Sequence, residues 1–184
     1  MPNAILLHGT SCNPDSFWQP SIKTFLEKRG YEVWVPQLPQ PDVPDLKWQL
    51  PFVLDNGHFD ARTVLIGHSA GGPLALAVLE KISSPIAKAV LVAGYARPKG
   101  KQKQPERILL ADYDWQKIRS NARSFVFINS DNDPWGCDDK EGRFMLDRLG
   151  GMQIVLPGEG HMGSDSFNQP YKEFPLLEKI LELD

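Results

Sequence analysis

Three apolar residues, Val64-Leu65-Ile66, run straight into Gly67-His68-Ser69-Ala70-Gly71-Gly72, and an Ala- and Leu-rich stretch, 73–79, follows. An apolar run without polar alternation suits a strand buried on both faces, as in a parallel sheet covered by helices. A Gly-x-Ser-x-Gly turn between such a strand and a helix is the setting of a nucleophile elbow. There the serine sits in a strained conformation at the tip of the turn with Oγ exposed, and the flanking glycines let strand and helix pass close together. The helix N-terminus points free N–H groups at the same spot. The competing reading of the pattern is a Gly-rich turn with an N-capping serine.

The rest of the chain repeats the alternation. Ala4-Ile5-Leu6-Leu7, ended by His8-Gly9, is a second buried run, and residues 31–35, 89–93, 124–129 and 154–156 supply further strands. Between them, Ser16-x-x-Gln19 reads as a capping box opening a helix whose apolar stripe is Trp18, Ile22, Phe25 and Leu26, stopped by Gly30. Residues 46–54 read as a helix despite Pro51. Residues 139–149 form another, capped near Asp138 or Asp139 and stopped by Gly150-Gly151, and 175–183 close the chain with Pro175 in the first turn. Strands alternating with helices over short connections predict a doubly wound α/β fold of about six mostly parallel strands with helices on both faces. At 184 residues the expectation is one domain, 1–184, without a cap domain. Segment 95–120, with only a short helical piece near Trp115 and Ile118, is the candidate lid. Such sheets bind ligands beyond the carboxyl ends of their strands. That edge gathers His8-Gly9-Thr10, the elbow, Gly94-Tyr95, 130–135 and 157–162.

A net charge of −3 gives no reason to expect nucleic acid as a partner. Cys12 and Cys137 make no disulfide framework and read as free thiols of a reducing, cytoplasmic setting. The 4–7 run is too short for a signal peptide and no window reaches the length of a membrane span.

A nucleophilic serine needs a base to take its proton and a carboxylate to orient that base, in the chain order Ser, Asp/Glu, His. His8 and His58 precede the elbow, and His68, adjacent to Ser69 in a tight turn, points its side chain elsewhere. His161, in the Gly-Glu-Gly-His-Met-Gly loop after the last strand, remains as the base. The acid lies in Ser130-Asp131-Asn132-Asp133-Pro134-Trp135. Asp133, held extended by Pro134, is preferred; Asp131, nearer the strand and able to cap the turn, is the alternative. The oxyanion hole falls to the backbone N–H groups of Ala70 and Thr10. Trp115 and Trp135 either line an apolar acyl pocket or belong to the core, with further wall from 36–44 and 95–120.

Other patterns carry less. Gly158-x-Gly160-x-x-Gly163 follows a strand but lacks the helix, further strand and acidic residue of a dinucleotide site. Asp131-Asn132-Asp133 starts like a calcium loop, yet Trp135 and Gly142 stand where ligands are needed. The basic run Arg97, Lys99, Lys101, Lys103 and Arg107 reads as a solvated loop or a lid that attracts acidic substrates. Cys12 reads as a bystander thiol. No metal or cofactor is called for.

The chain resembles the small serine hydrolases of the retinoblastoma-binding protein nine (YdeN-like) family, within the α/β-hydrolase superfamily. His8-Gly9, Trp18, Gly67-His68-Ser69-Ala70-Gly71, Asp114-Trp115, Ser130-x-x-Asp133-Pro134 and Gly160-His161 carry the resemblance in the expected order. It implies a Ser69–Asp133–His161 triad and so favours Asp133. The family's namesake binds the retinoblastoma protein through Leu-x-Cys-x-Glu, a motif absent around Cys137, so that partner is not implied. The expected function is hydrolysis of a small-molecule carboxylic ester, thioester or small amide; the alternative is a non-catalytic protein-interaction module on the same fold, with its partner unknown.

Overall fold

The computed structural model describes residues 1–99 and 106–183. Its six strands are β1 (Asn3–Leu7), β2 (Glu32–Trp34), β3 (Val64–His68), β4 (Ile86–Val92), β5 (Ala122–Ser130) and β6 (Met152–Leu156). They form one sheet in the order β2-β1-β3-β4-β5-β6, and every neighbouring pair is parallel. Burial explains their composition. Every residue of β1 and β3 is buried, whereas the edge strands β2 and β6 mix exposed and half-buried positions. β4 starts three residues before the apolar run that announces it, because Lys88 interrupts that run. The Lys88 ammonium is nonetheless satisfied: Nζ donates to the carbonyls of Ile180, at 3.1 Å, and Leu183, at the end of the last helix. A cation among free carbonyls at a helix C-terminus is favourably placed.

The helices are α1 (Gln19–Glu27), α2 (Leu46–Asn56), α3 (Gly71–Lys81), α4 (Trp115–Ser120), α5 (Asp139–Leu149) and α6 (Pro175–Glu182). α1 packs with α6, while α2, α3, α4 and α5 pack in series, which covers the sheet with two groups of helices. α3 is buried continuously from Gly71 to Leu79, so it shows no polar stripe in sequence. α5 spans the residues expected, with Asp138 accepting from the Lys140 N–H at 3.0 Å. α2 continues through Pro51, which lies exposed, and is capped by Asp45. The capping box at Ser16 does not form. Ser16 Oγ accepts from the Asn13 N–H within a turn, and α1 begins only at Gln19. Pro20 in the first turn brings no N–H that would need a cap. The expected stripe stands: Trp18, Ile22 and Leu26 are buried and Phe25 is partly so.

The sheet order positions the site. The chain steps from β1 outward to β2, then returns to place β3 on the other side of β1. The direction of winding therefore reverses between β1 and β3, and a crevice opens beyond their carboxyl ends. Leu7 lies in register with Gly67, and His68 with Val92, so the segments after β1, β3 and β4 leave the sheet side by side. No cap layer is inserted over this edge among the described residues. Residues 100–105 of the candidate lid, with Lys101 and Lys103, lie outside the described residues. The flanks that are described pack into the wall: Tyr95, Ala96 and Ile108 are buried, and Glu106 accepts from Tyr95 Oη at 2.6 Å and Lys99 Nζ at 2.9 Å.

Candidate active site

Ser69 leaves β3 with φ +53, in the left-handed region that side chains rarely adopt. Its N–H donates to the Val92 carbonyl at 2.9 Å and its carbonyl accepts from Gly72 at 2.8 Å, so the turn is tied to β4 and to α3. The elbow glycines answer to close packing. A Cβ on Gly67 would strike the Gly71 carbonyl, and one on Gly71 the Leu7 carbonyl at the end of β1. Gly9, which sequence reasoning passed over, obeys the same rule: its Cβ would lie 2.9 Å from Ser69 Cβ and 3.5 Å from Oγ. Ser69 is half-buried and lines a cavity of about 380 Å³ together with Gly9, Thr10, Tyr95, Trp135 and His161.

The Asp133 carboxylate is fully buried after β5. Oδ1 accepts from the Trp135 N–H at 2.8 Å and Oδ2 lies 2.6 Å from His161 Nδ1. A carboxylate can only accept, so Nδ1 carries the proton and Nε2 keeps its lone pair. No hydrogen bond joins Ser69 Oγ to His161 here, although both line the cavity; such contacts tighten when substrate binds. Asp131, the alternative acid, is turned away from the ring and accepts from the Gly158 N–H at 2.8 Å. Asn132 Oδ1 accepts from the Gly160 N–H at 2.8 Å. The calcium-like and dinucleotide-like patterns are therefore two halves of one loop-to-loop contact.

Thr10 lines the cavity, and Ala70 is the N-cap residue of α3. Among the described residues neither N–H donates to a backbone carbonyl in a turn, loop or cap. Cys12 lines the cavity as well, with Sγ donating to the Thr10 carbonyl at 3.3 Å; burial raises its thiol above the ordinary range. Donor atoms of Asp133, Cys137 and His161 lie within 4.8 Å of one another, the one such cluster among the described residues. Asp133 and His161 are already bonded to each other, and burial holds the Cys137 thiol protonated. That donor set suits proton retention better than a cation.

Trp135 stands at the rim, 48% exposed, edge-on to Phe167 at 5.2 Å. Trp115 does not join it. It stacks on Tyr113 at 4.8 Å and packs against Phe144, lining a separate cavity with Arg97 and Arg148. The reason lies in its position at the start of α4, which packs against α3 and α5 and so carries the ring away from Ser69. Of the loop 36–44, none lines the Ser69 cavity; Asp42, Val43 and Pro44 line a neighbouring one beyond Thr10.

The other histidines separate by environment. His8 is buried, with Nδ1 on the Gly9 carbonyl at 2.9 Å and Nε2 accepting from the Leu38 N–H at 3.0 Å; burial lowers its pKa. It ties the exit of β1 to the next loop. His58 sits on the surface beside Asp60. His68 misses Ser69, as expected, but is not idle: Nε2 lies 3.0 Å from the His161 carbonyl and the ring packs 5.1 Å from the His161 ring. Its placement beside the elbow was the available signal.

A family model described as Serine hydrolase matches residues 4–182. Serine hydrolase RBBP9 of Rattus norvegicus is 25% identical over 154 residues, 83% of this chain and 81% of the relative. Putative hydrolase YdeN of Bacillus subtilis is 26% identical over 131 residues, 70% and 69% of the two chains. The crystal structure of the ydeN gene product from B. subtilis superposes with a TM-score of 0.88 at 21% identity, covering 98% of this chain and 97% of that one. A methylesterase from Arabidopsis shares the fold at a TM-score of 0.62 and 15% identity, covering 98% and 97%. With the family matched over nearly its whole length on an α/β-hydrolase fold, the chain belongs to the serine hydrolase family.

Proposed function

We propose that this hydrolase cleaves a carboxylic ester, thioester or small amide through an acyl-enzyme on Ser69, with Asp133 and His161 completing a triad. The observation that carries the reading is the buried Asp133–His161 pair, 2.6 Å apart, beside a cavity that Ser69 enters from a strained turn. Ser69 Oγ attacks the substrate carbonyl while His161 Nε2 takes its proton. The oxyanion is held by the Thr10 and Ala70 N–H groups, each donor lowering the barrier by about 3 kcal/mol. Asp133 stays ionised and stabilises the imidazolium. His161 then protonates the leaving group as the carbonyl re-forms, leaving Ser69 acylated. Water, deprotonated by His161, attacks the ester and releases the acid and free Ser69. The Ser69 proton leaves with the alcohol, thiol or amine, and a proton from the attacking water, passed through His161, restores the serine hydroxyl.

The proposal extends to the setting: one domain acting on a small molecule, in a reducing compartment where Cys12 and Cys137 stay free. No helix among the described residues is long and apolar enough to cross a membrane. A fluorophosphonate probe should label the wild type at Ser69, located by peptide mass spectrometry, and leave Ser69→Ala unmarked. Labelling elsewhere, or none, would sink the assignment and favour the interaction module.

For the substrate, we read the Trp135–Phe167 rim as an apolar wall. Two large aromatics, each nearly half exposed and in ring contact, with Trp135 lining the cavity, mark a binding surface more than a folding one. Across p-nitrophenyl esters of graded chain length, Trp135→Ala should lower kcat/KM by about tenfold for long acyl chains and little for acetate, the loss of about 1.4 kcal/mol. An equal loss on every ester would remove Trp135 from the acyl site. Aminoacyl amides in the same assay test amide cleavage.

A further inference from the structure

The base sits on an improbable piece of backbone. Of residues 158–163, Gly158 (φ +79), Gly160 (+58), Met162 (+51) and Gly163 (+132) all lie in the positive-φ region, and Met162 is not a glycine. Glycines adopt such conformations freely, but a residue with a side chain, such as Met162, holds one only where its surroundings over-determine it. Five side chains do so here. Asp131, Asn132 and Gln169 accept from the N–H groups of Gly158, Gly160 and His161, at 2.8, 2.8 and 2.9 Å. His68 Nε2 lies 3.0 Å from the His161 carbonyl, and Trp18 Nε1 donates to the Met162 carbonyl at 2.9 Å.

The last two differ in kind. Both donate, both are buried, and their rings pack edge to face at 5.5 Å. A carbonyl cannot donate, so His68 holds its proton on Nε2, which leaves Nδ1 bare and without a partner. His68 immediately precedes Ser69 on the elbow strand. One hydrogen bond therefore links the nucleophile's strand to the base's loop, and a second, from the N-cap residue of α1, holds the next residue.

We infer that His68 and Trp18 are positioning residues, whose ring N–H groups grip the His161 and Met162 carbonyls and so fix the imidazole in register with Ser69. This rests on the reading of Ser69 and His161 as nucleophile and base. His68 also lines the Ser69 cavity, but neither residue meets the reacting atoms in the scheme; they act through the loop.

The test compares His68→Leu, which removes the donor and keeps bulk, with His68→Gln, whose amide N–H reaches about as far as the ring's. Trp18→Phe removes the indole N–H together with the second ring of a buried side chain. With a p-nitrophenyl ester, His68→Leu should lower kcat by about ten- to a hundredfold with KM within about twofold, and His68→Gln should recover most of it. Trp18→Phe should lower kcat by about tenfold, and combined with His68→Leu should cost less than the product of the two, since both grip one loop. The far-downfield proton resonance of His161 Nδ1–H, bonded to Asp133, should weaken or shift in His68→Leu and stay in His68→Gln. Unchanged kcat and resonance in folded His68→Leu would overturn the inference, as would equal losses in His68→Leu and His68→Gln. If His68→Leu does not fold, Trp18→Phe and His68→Gln decide: wild-type kcat in Trp18→Phe, or a collapse of kcat in folded His68→Gln, overturns it. The wild type failing to label at Ser69 would instead overturn the nucleophile, and the resonance would still report on the clamp.

Discussion

Two aspartates, two residues apart, do different work. Asp133 faces the imidazole; Asp131 faces the Gly158 N–H. Asp133→Asn should therefore reduce kcat by about 10³- to 10⁴-fold, because an amide in that place no longer holds His161 in the right tautomer. Asp131→Asn should cost about tenfold or less, since it loosens one of five ties. Steady-state kinetics on one ester checks this, and equal losses would move the acid elsewhere. The residues alone left both candidates open. Pro134 gave Asp133 an extended backbone, but the partner that occupies Asp131 lies 27 residues away and leaves no local mark. His68 was legible only as a neighbour of Ser69, because its acceptor lies 93 residues downstream.

Elements were easier to read than residues. Continuous apolar runs marked β1 and β3 because both faces of those strands are covered, and α5 kept its expected limits because Asp138 and Gly150-Gly151 are local signals. Misreadings arose where packing supplied what the local pattern lacked. Lys88 hid the start of β4, and its contact with the end of α6 accommodates a cation there. Ser16 and Gln19 had the spacing of a capping box, but the turn from Asn13 claimed the serine hydroxyl first. Trp115 was ambiguous because nothing in its neighbourhood tells a pocket wall from a helix face; its stacking on Tyr113 decided the matter.

At the scale of the whole molecule, buried histidines tie stability to pH. Burial, and secondarily the electrostatic interaction with His161, hold His68 at about 3 against an ordinary 6.5, and burial also lowers His8. The folded state keeps these rings neutral while the unfolded chain protonates them below about 6.5. Stability is thus full above that pH and falls as pH drops toward about 3, by at most about 1.4 kcal/mol per pH unit for His68. Urea midpoints measured at pH 7, 5.5 and 4.5 should decline, and His68→Gln should decline less. A parallel decline in the variant would assign the acid sensitivity to other groups.

The pairing of Leu7 with Gly67 has a consequence for how the protein can change. Thr10 and Ala70 follow adjacent central strands, whose backbones run about 4.8 Å apart as in any sheet. Trp135 and Asp165, which also line the cavity, sit on connections that follow the outer strands β5 and β6. On the proposed mechanism the molecule thus separates a fixed ruler for the carbonyl from an interchangeable rim. Replacement of the rim can redirect selectivity while the ruler keeps its calibration.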